Sequence, residues 1–451
     1  MTNFLLFFAL LLLTILAYYF DDKRIISPPV IVNGSFAASS LFLLINTVYW
    51  DYQISFTTLS LIIISILAFN FGYFLISKSF NNAPNISYKN DCHISLSFPK
   101  RRMYFLAILY GLLVLTLYYI QQRNNAVSVD MGDSLASIIQ ANRYYLDETA
   151  QKSSFIKFMF LSYKIITYYF VYVIISQKIC LNRVKNVWLT IVVSSIYLMC
   201  CTLTTSRVDV IYFAIFIIFI LLYLGKYSYL RSNKKTKPLK VVFFVLVISL
   251  TAVLLFRLLG TLTGKSERYS AYDNLTTYLS GAIVCFDKYI VGASGIPSSY
   301  TPQLLTGINS LLSKLGINSN LSDGFVLPHQ HWPHAAANIY TSLFPYYLRF
   351  GLIGLLFAEF FVGFIYSFVW YKFKNYSSSI AIILISANFS YVLVYYPIAE
   401  RFLSQLFSLT ALFEITMILI LCNKKHRSDA PSKRISYIKG KRSNVLFDTL
   451  L

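Results

Sequence analysis

The stretch Phe4–Phe20 reads FLLFFALLLLTILAYYF, an unbroken apolar run as long as a helix that crosses the hydrocarbon core of a bilayer. No basic region precedes it and no small-residue cleavage pattern follows it, so we expect a retained span and not a signal peptide. The rest of the 451-residue chain has the same character, because 57% of its residues are hydrophobic and 13% are charged. Soluble domains contain roughly 25% charged residues. The sequence therefore predicts an integral membrane protein.

Further apolar segments of similar length follow along the chain and predict an all-α protein with about 11 transmembrane helices. The predicted spans are 4–20, 30–49, 54–76, 103–120, 156–177, 187–205, 208–224, 239–259, 346–371, 379–397 and 402–422. The second span is the weakest, since Asn33 and Asn46 are among the polar residues that dilute it, and the side of the N-terminus depends on it. The resulting regions are helices 1–8 (1–257), a large external loop (258–345), helices 9–11 (346–422) and a basic tail (423–451).

Basic residues are distributed unequally between the two faces of this predicted bundle. Of the 39 lysines and arginines, 26 lie on one face, tail included, and 11 on the other, which carries 11 of the 18 acidic residues. Lys and Arg collect in cytoplasmic loops. We therefore expect the C-terminus in the cytoplasm and the long loop outside. The net charge of +21 then reflects topology and attraction to membrane lipids, and we expect no nucleic-acid partner.

The external loop 258–345 is the largest segment predicted on the outer face. Within it, residues 275–291 have apolar side chains at helical spacing beside polar ones, which indicates a short helix. That helix either lies at the membrane interface or packs over the mouth of the bundle. Loops of this length are usually functional or disordered, and the aromatic and apolar content favours function.

Arginines recur where predicted spans reach the outer face, at Arg207, Arg257, Arg349 and Arg401. A planar guanidinium binds phosphate oxygens with two hydrogen bonds, and its desolvation cost makes it rare near hydrocarbon. Four of them on one face favour a site for an anionic headgroup such as a pyrophosphate. In the alternative, the first pairs with Asp209, the last pairs with Glu400, and the other two extend to the interface.

Three histidines, His329, His331 and His334, lie within six residues at the end of the same loop. An ordinary pKa of about 6.5 makes histidine suitable as a general base towards a sugar hydroxyl. A metal site and simple structural hydrogen bonding are the alternatives, although no Cys, Asp or Glu lies within the stretch. No nucleotide-phosphate loop, dinucleotide fingerprint or nucleophile elbow occurs, so we predict neither a cofactor nor a soluble nucleotide-sugar donor.

Three stretches resemble segments of the Wzy-type oligosaccharide repeat-unit polymerases. Residues 334–366, HAAANIYTSLFPYYLRFGLIGLLFAEFFVGFIY, resemble the H-x-x-x-N-x-Y-T…P-Y-Y-x-x-F-G-x-x-G segment of that family. Residues 205–213, TSRVDVIYF, resemble its Ser-Arg segment at the outer end of a span. Residues 278–289, YLSGAIVCFDKY, resemble its glycine-containing aromatic stretch. The chain departs from the family pattern in lacking paired Arg-x15-Gly motifs and in having Arg349 in place of an aspartate.

The resemblance implies an inverting, metal-independent membrane glycosyltransferase of the GT-C type in the bacterial inner membrane. Its donor and acceptor would be undecaprenyl-pyrophosphate-linked oligosaccharides, joined on the outer face into O-antigen or a related surface polysaccharide. A flippase and a chain-length regulator would be its partners.

The same resemblance assigns roles to residues of this chain. Arg207 and Arg257 would hold the donor pyrophosphate, with support from Arg349. His334 would be the catalytic base, and Asn338 and Tyr340 would line the sugar site. Arg401, His329 and His331 are further candidate substrate contacts on that face.

Three other functions compete with the polymerase. An O-antigen ligase would share the lipid-linked donor, the arginines and the long loop. A flippase or transporter of the lipid-linked unit would place charges within spans, where this chain has only Glu359, Glu414 and one or two lysines. A structural scaffold of an export complex would draw support from the basic tail alone.

Overall fold

The structure is a computed structural model that describes residues 1–21, 23–81, 99–127, 134–144, 153–181, 184–204, 207–231, 251, 254, 270–296, 327–375 and 379–423. Arg257, most of the predicted eighth span, and much of the external loop lie outside these residues. So does the basic tail beyond Asn423.

The described residues form a helical bundle with one small hairpin. In chain order its elements are α1 (Thr2–Phe20), α2 (Pro28–Ile45), α3 (Phe56–Asn81), α4 (Arg101–Val127), α5 (Leu135–Tyr144), α6 (Ser154–Ser176), a π-helical turn (Gln177–Leu181), α7 (Val187–Leu203), α8 (Arg207–Arg231), α9 (Ala271–Ile290), β1 (Gln330–Trp332), β2 (Ala335–Ala337), α10 (Leu343–Asn375), α11 (Ile380–Phe389), α12 (Tyr391–Val394), a second π-helical turn (Phe402–Leu406) and α13 (Leu409–Asn423).

Six of these helices, α1, α2, α3, α4, α6 and α10, are long and apolar enough to cross a membrane. Four shorter apolar helices, at Val187–Leu203, Val208–Leu224, Ile380–Val394 and Leu409–Cys422, coincide with further predicted spans. Large apolar side chains such as Phe357, Phe361 and Phe368 are exposed along α10, as expected of a surface that meets lipid. The structure is therefore that of a membrane-embedded helical protein, and the count of about 11 spans remains a prediction.

Helices α3 and α10 pack against each other backbone to backbone. An ideal Cβ built on Gly72 would lie 2.1 Å from the carbonyl oxygen of Phe360, and one built on Gly363 would lie 2.1 Å from that of Phe69. Small residues allow such approach in membranes, where association depends on close packing of helices. The two glycines therefore set the distance between these helices.

The last two predicted spans are interrupted helices. The segment predicted at 379–397 divides into α11 and α12 and ends in turns before Pro397. The segment predicted at 402–422 begins with the second π-helical turn, whose first N–H groups are satisfied by the Glu400 carboxylate. Its oxygens accept hydrogen bonds from the amides of Leu403, at 2.6 Å, and Ser404, at 3.1 Å. These breaks place polar side chains and irregular backbone at one end of the bundle.

Helix α9 covers the segment predicted to be helical and is packed, not interfacial. Its residues 282–286 are fully buried, against α2, α3 and the hairpin. Asp287 fastens it to the loop before α3, since its carboxylate accepts hydrogen bonds from the Tyr52 hydroxyl at 2.6 Å and the Ser55 amide at 2.8 Å. The pKa of Tyr52 is raised, mainly because the side chain is buried and secondly because its hydroxyl is hydrogen-bonded to Asp287.

Residues 330–337 are a small exception in an otherwise helical structure, because they form an antiparallel hairpin that pairs Gln330 with Ala337. Trp332 anchors it by packing edge-on against Trp50, with ring centroids 5.5 Å apart. The Cys285 thiol donates to the Ala337 carbonyl at 3.4 Å, and burial raises the pKa of this thiol to about 12. The strands are only three residues long and one is AAA, so their periodicity gives no signal, and contacts with α9 stabilise them instead.

Candidate functional site

A cavity of about 430 Å³ opens where the first residues of α6 and α8, the end of α11 and the start of α13 meet. The topology predicted from the sequence places all four of these helix ends on the outer face. The cavity is lined by charged side chains of both signs, Lys157, Lys164, Asp209 and Glu414, together with aromatic and hydroxyl groups. We call this space the outer cavity.

A buried ion pair forms part of the outer cavity wall. Lys164 Nζ lies 2.8 Å from Glu414 Oε1, and their side chains are only 5% and 4% exposed. The other oxygen, Oε2, accepts a hydrogen bond from the Asn388 amide at 2.7 Å. Desolvating two charges costs several kcal/mol per ion, so such a pair persists only where its hydrogen bonds are satisfied. Both oxygens of Glu414 are thus held in a fixed clamp.

Asp209 also lines the outer cavity, from the first turn of α8. A carboxylate in this position is favoured by the partial positive charge of the helix N-terminus. Arg207, the first residue of α8, precedes it by two positions, which places the Arg207 backbone beside the cavity. The structure describes the backbone of Arg207 but not its side chain.

Arg401 lies beside the same cavity, just before the second π-helical turn. Its guanidinium is within electrostatic range of the hydroxyls of Tyr212 and Tyr391, which both line the cavity. Among the described residues, neither the buried Nε of Arg401 nor the Tyr212 hydroxyl has a hydrogen-bond partner. The alternative pairing of Arg401 with Glu400 is not formed, because Glu400 bonds the Tyr346 hydroxyl and the backbone amides that follow it.

Two neighbouring donors without acceptors indicate a place for an oxygen-rich ligand, because a buried donor left unsatisfied costs about 1–3 kcal/mol. A phosphate or a sugar supplies such oxygens. The start of α8, the helix that carries Arg207, lies at this cavity, and Arg401 lies within electrostatic range of two tyrosines that line it. The anion-binding role of these arginines remains a prediction.

The histidines lie elsewhere, on the hairpin. His334 is exposed in its two-residue turn, has a φ of 65°, and stacks on Tyr49 with ring centroids 4.4 Å apart. His329 and His331 are exposed on β1 and its approach, with ring centroids 6.5 Å apart. None of the three is among the described residues that line the outer cavity.

The other candidate residues, Arg349, Tyr340 and Asn338, are also absent from the described residues that line this cavity. Arg349 is exposed, and its guanidinium lies 5.7 Å from the ring centroid of the adjacent Phe350. Tyr340 is buried beneath the hairpin, where its hydroxyl accepts a hydrogen bond from the Gln330 amide at 3.2 Å. Asn338, directly after β2, is half-buried.

Sequence reasoning missed Asp209 as a site residue and treated Lys164 and Glu414 only as charges within spans. A signal was present, since an ionisable residue inside a membrane segment marks a functional site by default. The sequence does not show that Lys164 and Glu414 form an ion pair, because the two residues are 250 positions apart in the chain.

Within the described part of the chain, no group of three His, Cys, Asp or Glu side chains is placed to hold a metal ion. No family model, curated protein or solved structure matches the chain. The resemblance to the polymerases therefore rests on the three sequence stretches quoted above.

Proposed function

We propose that the protein is a membrane glycosyltransferase that polymerises lipid-linked oligosaccharide repeat units. Its donor and acceptor are undecaprenyl-pyrophosphate-linked units, and its product is O-antigen or a related surface polysaccharide. The reaction takes place on the outer face of the bacterial inner membrane, and the C-terminus is cytoplasmic. A flippase supplies the units, and a chain-length regulator acts with the enzyme.

The observation that carries this proposal is the outer cavity, with its unsatisfied donors at the ends of membrane helices. A lipid-linked glycan keeps its hydrocarbon tail in the bilayer and its pyrophosphate at headgroup level, so its site must lie where spans end. The cavity volume of about 430 Å³ falls within the roughly 300–1,000 Å³ of small-molecule sites. It suits a sugar ring or a pyrophosphate better than a whole repeat unit.

The chemistry needs a group that stabilises the departing pyrophosphate. Negative charge develops on its oxygens as the glycosidic bond to the donor sugar breaks, and fixed guanidinium groups lower the energy of that charge. We assign this role to Arg401, which lies within electrostatic range of Tyr212 and Tyr391 at the cavity, and the resemblance adds Arg207 and Arg257. His334 is the proton acceptor that the resemblance implies.

The test is deletion of the gene in its host, followed by complementation and separation of the surface glycan by length. Wild type should restore a ladder of long chains, whereas Arg207→Ala and Arg401→Ala should leave single-repeat products. Loss of a group that stabilises charge in the transition state costs about 100–1,000-fold in rate. Arg101→Ala is the matched control, since Arg101 is exposed at the start of α4 on the predicted opposite face.

Two results would contradict the proposal. A deletion strain that still makes long chains would show that another protein polymerises. Lipid-linked units that accumulate with no repeat attached to the final acceptor would favour the ligase or the flippase.

A further inference from the structure

Exposed aromatic side chains meet on the face that the sequence predicts to be external, where the loop before α3, the start of α9 and the hairpin come together. Tyr49 is 43% exposed and Tyr272 is 49% exposed. Their ring centroids lie 6.2 Å apart, with the ring planes at 70°. The exposed ring of His334 stacks on Tyr49, with centroids 4.4 Å apart and planes at 12°. We call these three residues the aromatic platform.

The platform continues into a strip that follows α9, because the hairpin packs against this helix. Towards the other end of α9, the Lys288 ammonium donates a hydrogen bond to the His331 carbonyl. The same ammonium lies 6.0 Å from the ring centroid of Tyr52. Tyr272 and Lys288 are 16 positions apart on one helix, so a rise of 1.5 Å per residue gives the strip a length of about 24 Å.

Exposed aromatic rings near the ends of membrane helices have two common roles. Tyrosines anchor proteins at lipid headgroups. Aromatic rings also bind sugars, because their negative faces attract the C–H bonds of a sugar ring.

The polar groups around the platform favour a sugar. The Asp273 carboxylate lies within electrostatic range of the Tyr49 hydroxyl. Asp51 is an exposed carboxylate in the same short loop before α3. Carboxylates are unfavourable near hydrocarbon, whereas they accept hydrogen bonds from sugar hydroxyls. Exposed apolar patches with polar rims mark binding sites, and this rim suits a ligand with apolar faces and hydroxyl edges.

We infer that the aromatic platform and the strip along α9 bind the saccharide chain of the lipid-linked substrate. The inference rests on the proposed polymerisation and names the surface that holds the growing glycan. Sugar rings stack their apolar faces on the platform, and their hydroxyls bond to the carboxylates and the ammonium beside it. An open strip of this length accommodates several linked sugars, whereas the outer cavity suits one ring or a pyrophosphate.

The experiment measures binding of a glycan to the full chain purified in detergent. The probe is the host's own surface polysaccharide, released from its lipid and labelled with a fluorophore at the reducing end. Fluorescence anisotropy gives Kd for wild type, Tyr49→Ala, Tyr272→Ala and Tyr49→Trp. His334 stays unchanged, because the resemblance assigns it a catalytic role. Tyr19→Ala is the matched control, since Tyr19 is 61% exposed at the end of α1, on the predicted opposite face.

We expect each alanine variant of the platform to bind about two- to tenfold more weakly, which is the contribution typical of one aromatic contact. Tyr49→Trp should bind at least as tightly as wild type, because it keeps an aromatic face. Tyr19→Ala should match wild type. In the complemented deletion strain, Tyr49→Ala should still join repeats but give a ladder shifted to shorter chains, because the glycan dissociates sooner.

Failure of the inference differs from failure of the proposed function. An unchanged ladder in the deletion strain would refute polymerisation itself. A wild-type protein that polymerises but binds no glycan, or alanine variants with the Kd of wild type, would overturn the platform alone. Alanine variants that keep this Kd but melt earlier in a lipid bilayer would show that the rings are membrane anchors, which also overturns it. If Tyr49→Ala does not accumulate, Tyr272→Ala decides by the same Kd comparison.

Discussion

Gly363 and Gly72 are the positions at which a single methyl group should do the most damage to the bundle. A Cβ at Gly363 would lie 2.1 Å from the Phe69 carbonyl oxygen and 3.1 Å from the Tyr73 amide nitrogen. Both are backbone atoms of α3, so no side-chain rotation relieves the overlap. Restoring van der Waals contact requires α3 and α10 to separate by about 1 Å, which opens gaps along the rest of their interface.

Overpacking of a tight core typically costs about 1–3 kcal/mol, and we expect Gly363→Ala to reach the upper end because backbone must move. A cost of about 3 kcal/mol lowers the ratio of folded to unfolded protein by more than about a hundredfold. The assay is the melting temperature of the detergent-purified protein, together with its elution profile in size-exclusion chromatography. Gly72→Ala should behave in the same way, and the double variant should cost less than the sum, since the first methyl already separates the helices.

Gly34→Ala is the matched control. A Cβ there meets only the Thr14 methyl group, at 3.6 Å, which is an ordinary contact. Alanine is favoured over glycine inside a helix by about 0.5–1 kcal/mol, so this variant should melt at or above wild type. A Gly363→Ala protein that melts together with Gly34→Ala would refute the close approach of α3 and α10.

Two further predictions concern buried charges. Lys164→Met should destabilise the protein by about 3–5 kcal/mol, because it leaves Glu414 buried without its ammonium partner, whereas adding Glu414→Leu should recover most of that loss. Melting temperatures of the single and double variants check this, and equal melting of Lys164→Met and wild type would show that the pair is not buried. Asp287→Asn should cost about 1–3 kcal/mol, because the carboxylate accepts hydrogen bonds that attach α9 to the loop before α3. Asp51→Asn serves as the exposed control in the same assay. Equal melting temperatures of Asp287→Asn and Asp51→Asn would contradict the role of Asp287 in attaching α9 to that loop.

The sequence predicted the helical elements closely where burial follows from local composition. The segment predicted at 346–371 lies within α10, and the one predicted at 156–177 is nearly the same as α6. Helix α9 was also predicted, although its environment remained open between a lipid interface and a packed core. That choice depends on α2 and Trp332, which meet α9 only in the folded chain, and on the hydrogen bonds that Asp287 of α9 accepts from Tyr52 and Ser55.

The candidate site was predictable only in part. Arg401 and the start of α8 were expected on one face; the start of α8 lines the outer cavity, and Arg401 lies within electrostatic range of two of its tyrosines. The three histidines within six residues predicted a catalytic base on the segment that forms the hairpin. The single Asp209 forms no comparable cluster in the sequence.

By itself, the sequence determined that this protein is membrane-embedded and where most of its helices lie along the chain. Those properties follow from the length and composition of contiguous segments, which the chain contains whatever its tertiary structure. Only the tertiary structure decided that Lys164 meets Glu414, that a hairpin packs against α9, and that Asp209 and Tyr212 line one cavity with that ion pair. These contacts join residues up to hundreds of positions apart, and their energies depend on distance and burial in the folded bundle, for which no local pattern provides a signal.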